Sequence, residues 1–480
     1  MTDFEKKFPL STFERALANI CESGDCIIMS TSFISNESNI KMDRSLVTKA
    51  LVFMQNRHPF LNSYLETKKL ANKMFLKVPS EKMSHKIKLE WLDLTNSLVN
   101  RRHLINESAK FHAVPFFNEE KSLLWKIQII EFKINEKLSY IMNLVTHMAI
   151  SDGLSISCLS VEIINIINAL QDGKECDEMK IHLEPLADLH TLCDERNLFK
   201  ESHMKTIKEM SKEKKPKLLL PDKFRTKKTG FLLDLFKLDK IKTEQIMKIS
   251  KSNGIRLTSY FHTVAIYALR KLFLENDTPF PEQIPVGLPA NLRFRLNPKV
   301  DLNACRFLTA VTGFVTEKGK FGRYNDFWAD ARYMHESIIK ATSSETGSIF
   351  SVTHTKYLDV FNQIFRFTSS SETACKFVKF IDDEECDLGV SNLGPFVNDC
   401  IKELDGKFSI KEIYCSDLLL SVPKISNELV VDVVVDVDVD VDVDVDVDVD
   451  VDVDVDVDVD VDVDNNVDVD VDVEVINLLM

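Results

Sequence analysis

The pattern of apolar and polar positions is clearest between residues 123 and 170, where it predicts two strands and a helix. Residues 123–132, LLWKIQIIEF, alternate as a half-buried strand does. INEK at 134–137 provides a turn, and LSYIMNLVTH at 138–147 predicts a second, more apolar strand. After a break at residues 151–153, apolar side chains recur at nearly helical spacing: Leu154, Cys158, Ile163, Ile166, Ile167 and Leu170. A strand-to-helix turn is therefore predicted at residues 148–153.

The second half of the chain shows the same mixture of strand and helix patterns. Residues 242–276 predict two helices, with Gly254 at the end of the first and Thr258 as the N-cap of the second. IPVGLPANLRFRLNP at 284–298 predicts a strand that leads into a turn. CDLGVSNLGPF at 386–396 predicts a short strand broken by glycines, where a backbone approaches another group closely. The expected fold class is α/β.

These patterns divide the chain into four segments. We expect one globular unit over residues 1–195 and a second over residues 222–430. Between them, residues 196–221 form a basic connector, because their apolar content is too low to pack. Residues 431–480 are the low-complexity tail, in which Val and Asp alternate.

The Val-Asp tail has the period of a strand, yet it is expected to be disordered. Its carboxylates would repel one another along one face, and no matching strand is present in the sequence. A calcium-buffering or partner-binding role and a repeat without any role both remain open.

The charge of the chain is divided unevenly between the tail and the rest. The formal net charge is −15, but the tail contains 20 acidic residues and no Lys or Arg. The other 430 residues contain 55 acidic and 60 basic side chains, which gives a formal charge of +5. Because no sustained basic and aromatic pattern accompanies this small excess, we do not expect a nucleic acid as a partner.

The composition also indicates the expected cellular compartment and whether a metal or cofactor is bound. The N-terminus has early charges and no apolar core of a secretory signal, and no run of 18 apolar residues predicts a membrane span. The 10 cysteines include no C-x-x-C pair, which indicates reduced thiols rather than disulfides or a zinc site. We therefore expect a cytoplasmic, monomeric protein without a metal and without a permanently bound cofactor.

The segment HMAISDG, His147–Gly153, resembles the HHxxxDG motif of condensation domains and alcohol-acetyltransferase-like proteins. Both belong to the chloramphenicol-acetyltransferase-like superfamily of HxxxD acyltransferases. The resemblance extends from residue 1 to about residue 425. Further fragments follow in the order found in those families: RHPFL at 57–61, SLLWKIQII at 122–130, NGIRLTSYF at 253–261, PANLR at 289–293 and VSNLG at 390–394.

The resemblance implies two chloramphenicol-acetyltransferase-like lobes, with mixed sheets and flanking helices around a central channel. Residues 1–195 would form the N-terminal lobe and residues 222–430 the C-terminal lobe. An acyl thioester, expected to be acyl-CoA as a co-substrate, would enter the channel from one side. A small alcohol or amine acceptor would enter from the other.

The resemblance also implies roles for single residues. The second His of HHxxxDG is the general base, and Met148 stands at that position in this sequence. The motif Asp, here Asp152, holds the turn by pairing with an arginine, for which Arg293 is the first choice and Arg295 the alternative. The candidate catalytic positions are thus His147, Met148 and Asp152. The candidate substrate-binding residues are Gly153, Ser391 and Asn392.

Met148 decides between two functional hypotheses. A thioether is only a weak acceptor and cannot remove a proton, whereas loss of a general base typically costs about 10²- to 10⁴-fold in rate. His147 lies one position too early, and on a strand such a shift turns a side chain to the opposite face. The chain is therefore either an acyltransferase that uses His147 or a substrate group as base, or a pseudoenzyme. The pseudoenzyme would bind a thioester, a lipid-like ligand or a partner protein in the former substrate channel between the lobes.

The C-terminal lobe departs from the family pattern. After VSNLG the sequence contains about two strand patterns before the tail begins. We therefore expect an incomplete lobe with an exposed sheet edge.

Overall fold

The computed structural model describes most of the first 174 residues and several parts of the second half. The described residues are 6–11, 14–15, 17–18, 27–36, 38–68, 73–80, 83, 86–112, 121–174, 183–189, 191–192, 240–296, 300, 304–306, 308–321, 326–343, 388–391, 406–417 and 429–432. The predicted connector, 196–221, lies outside them. So does the predicted tail, apart from its first two residues.

The fold is mixed α/β, as the sequence predicts. Its strands are β1 (Lys6–Pro9), β2 (Ile27–Asn36), β3 (Tyr64–Lys68), β4 (Lys73–Val78), β5 (Lys88–Asp93), β6 (Trp125–Ile134), β7 (Lys137–His147), β8 (Pro285–Asn291), β9 (Thr309–Val315), β10 (Leu388–Ser391), β11 (Phe408–Asp417) and β12 (Leu429–Asp432). Its helices are α1 (Arg44–Arg57), α2 (Arg101–His112), α3 (Gly153–Gln171), α4 (Lys240–Ser252), α5 (Leu257–Leu274) and α6 (Phe327–Thr342). Short 3₁₀ turns lie at Pro59–Asn62 and Arg293–Arg295.

The N-terminal lobe is built around a five-stranded sheet in the order β11-β2-β7-β6-β5. Neighbours in this sheet are antiparallel, except that β5 runs parallel to β6. Helix α3 packs against β2, β7, β11 and α1. Most of its side chains are buried, because its apolar residues face this sheet on one side and α1 on the other. A separate three-stranded sheet, β1-β4-β3, belongs to the same half.

Strand β11 crosses from the C-terminal part of the chain into the N-terminal lobe. It pairs antiparallel with β2 over nine residue pairs, with a register shift between Ile410 and Glu412. Phe408, Ile410 and Ile413 join the apolar core of that lobe. The sequence analysis placed this segment within the C-terminal unit, 222–430. The lobes therefore do not follow chain order, because β11 finds its partner and its apolar core in the other half.

The C-terminal lobe contains a four-stranded sheet in the order β12-β10-β8-β9. Strand β10 is parallel to both of its neighbours, and β8 and β9 are antiparallel. Helices α5 and α6 pack against each other and cover this sheet, and the apolar cluster between them includes Tyr260, Phe261 and Val264. Of the two strands described after β10, one thus completes the N-terminal sheet and the other extends this one.

The local predictions agree with the structure, with small differences at the ends of elements. The predicted turn at 134–137 contains Asn135 and Glu136, both with positive φ angles of 49° and 63°. Gly254 follows α4 with a φ of 66°, as a helix-terminating glycine does. The N-cap of α5 is Arg256 rather than Thr258, so this helix begins one residue before the predicted cap and has no side-chain cap.

Helix α3 is long and apolar enough to cross a membrane, by length and composition alone. In the structure, 72% of the apolar 18-residue stretch of this helix is buried inside the protein. Its apolar character is accounted for by packing within the N-terminal lobe.

Candidate functional site

The motif turn connects the end of β7 to the start of α3, and Asp152 caps this helix. Its Oδ1 accepts hydrogen bonds from the Ser155 backbone N (3.0 Å) and from Ser155 Oγ (2.8 Å). The Ser155 hydroxyl also faces the Asp152 amide, which completes a capping box. This arrangement satisfies donors that every helix N-terminus leaves open, and it fixes the direction in which α3 leaves the turn.

The second carboxylate oxygen of Asp152 joins the two halves of the chain. Arg293 donates from Nη1 to Asp152 Oδ2 at 2.7 Å, and the Leu308 amide donates to the same oxygen at 2.9 Å. Thr309 Oγ1 adds a third bond at 3.1 Å. Arg293 also donates from Nη2 to Ser155 Oγ at 2.7 Å. The ion pair that the family resemblance implied is thus present, with Arg293 as the partner.

Both members of this pair are buried, and their charges depend on each other. Burial by itself raises the pKa of Asp152, but the charge and hydrogen bond of Arg293 and the amides of Ser155 and Leu308 act more strongly, so the pKa lies below its usual value. Arg295, the alternative partner, instead donates from Nη1 to the carbonyl of Thr342 at 2.5 Å. It is half-buried and lies on the same 3₁₀ turn as Arg293.

A second buried arginine lies beside the first. Arg306 forms two bonds to Glu14, from Nε to Oε1 (2.6 Å) and from Nη2 to Oε2 (2.9 Å), and its guanidinium lies 5.1 Å from the centre of the Phe60 ring. The carbonyl of Arg306 accepts from Arg293 Nη2 at 3.2 Å. Segment 304–306 is therefore bonded both to Glu14 in the N-terminal half and to Arg293 in the C-terminal half. The sequence analysis did not identify Arg306 or Glu14, because their contact joins distant parts of the chain. It also missed Ser155, although the spacing of Asp152 and Ser155 is the local signal of a capping box.

The two residues that precede the turn offer no accessible general base. Met148 is fully buried and belongs to the apolar core of the N-terminal lobe, together with Ala149 and Ile150. His147 ends β7 and is fully buried as well, and its Nδ1 accepts a hydrogen bond from the Ala149 amide at 2.9 Å. A ring nitrogen that accepts cannot carry the proton, so the neutral ring is protonated at Nε2. The lone pair of His147 is thereby used by the backbone of its own turn.

The predicted substrate-binding residues lie at different places in the fold. Gly153 is the first residue of α3, and its carbonyl accepts from Ser157 Oγ at 2.8 Å. Ser391 ends β10, opposite Asp432 of β12. Asn392 lies outside the described residues. In the part of the chain that the structure describes, no group of three or more His, Cys, Asp or Glu could hold a metal ion.

A sequence profile of the condensation domain matches residues 29–281, more than half of the chain. The chain belongs to the condensation-domain family. The matched region includes the motif turn and the first helices of the C-terminal lobe. Membership places the protein in a family of the acyl-transfer type. No curated protein sequence matches the chain.

Solved structures with the condensation-domain fold match almost the whole chain. The first condensation domain of the CDA synthetase has a TM-score of 0.58 and 12% identity, covering 90% of this chain and 88% of that one. The starter condensation domain of rhizomide synthetase, solved as a variant in complex with C8-CoA, has a TM-score of 0.55 and 11% identity, with coverages of 90% and 87%. Polyketide synthase associated protein 5 from Mycobacterium tuberculosis has a TM-score of 0.51 and 14% identity, with coverages of 85% and 87%. At these identities the likeness shows the fold alone.

Proposed function

We propose that this condensation-domain protein binds an acyl thioester, of the acyl-CoA class, and transfers the acyl group to an alcohol or an amine. The transfer proceeds without a general base at position 148. The observation that carries this proposal is the buried network around Asp152, which joins the motif turn to Arg293, Leu308 and Thr309 of the C-terminal half.

Such a network contributes to catalysis by alignment. A thioester is already activated, so a large part of the barrier to acyl transfer is the cost of bringing carbonyl and acceptor together in the right orientation. The bonds of Asp152 and Ser155 fix the start of α3 relative to the C-terminal half. Burying a charged pair of this kind costs desolvation free energy. A gain in stability is therefore, by itself, a weak explanation for the presence of the pair.

The chemistry at position 148 restricts the acceptor. A hydroxyl group attacks a thioester efficiently only when a base removes its proton, and Met148 cannot do this. A neutral amine attacks through its own lone pair and loses its proton afterwards. Amine acceptors are therefore favoured over alcohols. The C8-CoA bound by the rhizomide synthetase domain supports acyl-CoA as the donor class.

The second candidate function is thioester binding without turnover. It is favoured by the burial of Met148 in the apolar core and by the bond between His147 Nδ1 and the Ala149 amide. In that case the Asp152 network would serve only to preserve the shape of a ligand site.

One experiment separates the two candidates. The full chain is incubated with octanoyl-CoA and a panel of primary amines and alcohols, and released CoA and acylated product are measured by liquid chromatography and mass spectrometry. Product above the uncatalysed rate, with amines ahead of alcohols, supports transfer. Saturable binding of octanoyl-CoA without product supports the binding function. Neither binding nor product would contradict both.

A further inference from the structure

Three side chains beside the motif turn form a line from a thiol to a carboxylate. Cys305 Sγ lies 3.4 Å from His58 Nδ1, and His58 Nε2 lies 2.9 Å from Glu162 Oε2. His58 follows the last residue of α1, Glu162 lies on α3, and Cys305 belongs to segment 304–306 of the C-terminal half. The three residues thus come from three separate parts of the sequence.

The order of these contacts fixes the protonation of the imidazole. An ionised carboxylate only accepts hydrogen bonds, so the bond to Glu162 requires a proton on His58 Nε2. Nδ1 then faces the thiol, where it either accepts from the S–H group or donates to a thiolate. This is the arrangement of a nucleophile, a base and an orienting group that activated cysteines use.

The neighbouring groups favour the protonated form of the His58 ring. Arg57 forms an ion pair with the other oxygen of Glu162. Burial by itself lowers the pKa of His58, but the charge and hydrogen bond of Cys305 and those of Glu162 outweigh it and raise the pKa to about 10. The neighbouring Arg306 has its own carboxylate, Glu14. At neutral pH the imidazole is therefore cationic, and its Nδ1 lies within hydrogen-bond distance of the Cys305 sulfur.

Segment 304–306 also connects this line to the motif turn. The carbonyl oxygens of Ala304 and Arg306 lie 3.3 and 3.4 Å from Ser155 Oγ, two turns of α3 before Glu162. Cys305 keeps 6% of its surface exposed, whereas His58 keeps 1%. Cys305 is thus the more exposed residue of the buried pair, and it lies next to the turn whose usual base is replaced by Met148.

We propose that Cys305, His58 and Glu162 form a nucleophilic site and that Cys305 accepts the acyl group of the thioester before it reaches the acceptor. The proposal rests on the proposed transfer function and adds an acyl-cysteine intermediate to it. Glu162 is a positioning residue, because it acts through the His58 ring.

The two steps balance. In the first, the Cys305 thiolate attacks the thioester carbonyl, a new carbon–sulfur bond forms, the carbon–sulfur bond to CoA breaks, and the CoA thiolate takes the proton from His58 Nδ1. In the second, the amine or alcohol attacks the acyl-cysteine and gives its proton to His58 Nδ1, while the acyl group leaves the sulfur. Cys305 returns as the thiolate, and no oxidant or reductant is consumed.

The test measures acylation of the full chain directly. The wild-type protein is incubated with octanoyl-CoA, without an acceptor, and the acylated residue is located by peptide mapping and mass spectrometry. We expect one octanoyl group on Cys305, none in Cys305→Ala, and at least a ten-fold slower reaction in His58→Gln. Cys415→Ser is the matched control, because this half-buried thiol on β11 should not change the result.

A second measurement needs no thioester and covers the case in which a variant fails to fold. Alkylation of wild-type Cys305 by iodoacetamide is followed from pH 5 to 9 by peptide mapping. A thiolate held by His58 reacts at a rate that changes little over this range, and about ten-fold or more faster at pH 6 than an ordinary thiol such as Cys415. A rate that rises with pH as an ordinary thiol does would overturn the proposal.

The outcomes distinguish this inference from the proposed function. Acylation of Cys305 without transfer to any amine or alcohol supports the inference and contradicts the transfer function. Transfer at the wild-type rate by Cys305→Ala contradicts the inference and leaves the transfer function standing. Absence of both acyl-cysteine and product contradicts both.

Discussion

The two ends of the motif turn, Met148 and Asp152, lie four residues apart and differ in how they are bonded. At one end, Asp152 has a capping box, a buried arginine and bonds to the C-terminal half. At the other, Met148 lies in the apolar core, and His147 gives its lone pair to a backbone amide. The comparison teaches that the part of the motif that shapes the turn and the part that handles protons can be separated within seven residues.

The largest expected effect comes from breaking the ion pair at the Asp152 end of the motif turn. Arg293→Ala leaves the Asp152 carboxylate buried without its cation, which should cost about 3–5 kcal/mol in the free energy of unfolding. The measurement is urea denaturation followed by circular dichroism. Arg295→Ala is the control, because this half-buried arginine on the same 3₁₀ turn donates to the Thr342 carbonyl instead of to Asp152. Equal losses in the two variants would show that the Asp152 pair has no special role.

The Asp152–Arg293 pair should also make the free energy of unfolding depend on pH in the acidic range. The pKa of Asp152 is lowered in the folded protein, so its contribution is present above the ordinary carboxyl pKa of about 4 and is lost as the pH falls through the lowered value. We expect the free energy of unfolding of Asp152→Asn to fall less steeply below pH 4 than that of the wild type. Denaturation series from pH 7 to pH 2 check this. The same slope of the free energy of unfolding below pH 4 in both proteins would contradict this expectation.

The Met148 end of the motif turn is tested by placing an imidazole at position 148. Met148→His places a polar ring in an apolar core, so it should destabilise the fold by about 1–3 kcal/mol. It should also raise the rate of transfer to alcohols by up to about 10²-fold, because an imidazole removes the proton that a thioether cannot. Met148→Leu is the control and should change the free energy of unfolding by less than about 1.5 kcal/mol. A gain in rate with Leu would exclude base catalysis as the reason.

The smallest expected effect concerns the hydroxyl that links the cap to the arginine. Ser155 Oγ donates to Asp152 and accepts from Arg293, so Ser155→Ala should cost about 1 kcal/mol. Ser157→Ala is the matched control on the same helix, since its hydroxyl only donates to the Gly153 carbonyl of the preceding turn. Thermal unfolding of both variants measures the difference. A larger loss in Ser157→Ala would contradict the role given to Ser155.

The local elements around the turn could be predicted from the sequence because their signals are local. Alternation between residues 123 and 147 indicates β6 and β7, and the apolar spacing after Asp152 indicates α3. The capping role of Asp152 follows from its position before a helix. The ion pair with Arg293 came from the family resemblance, since nothing within the sequence itself connects two residues so far apart.

The placement of β11 could not be predicted in the same way. Its alternating pattern fits a strand in either lobe, and chain order suggests the C-terminal one. In the structure it pairs with β2, and Phe408 and Tyr140 pack edge to face within the N-terminal lobe. The exposed edge and the apolar surface that select the partner of a strand exist only after both lobes have formed.

The sequence by itself determined which residues could do chemistry at the motif: a carboxylate at Asp152, a thioether at Met148 and an imidazole at His147. The tertiary structure decided which of their atoms are used, because it alone brings Arg293 to Asp152 and the Ala149 amide to the His147 ring. It also placed Cys305 beside His58, a contact between residues 247 positions apart. Side-chain chemistry is a property of each residue, whereas burial, charge pairing and protonation depend on neighbours that only the folded chain supplies.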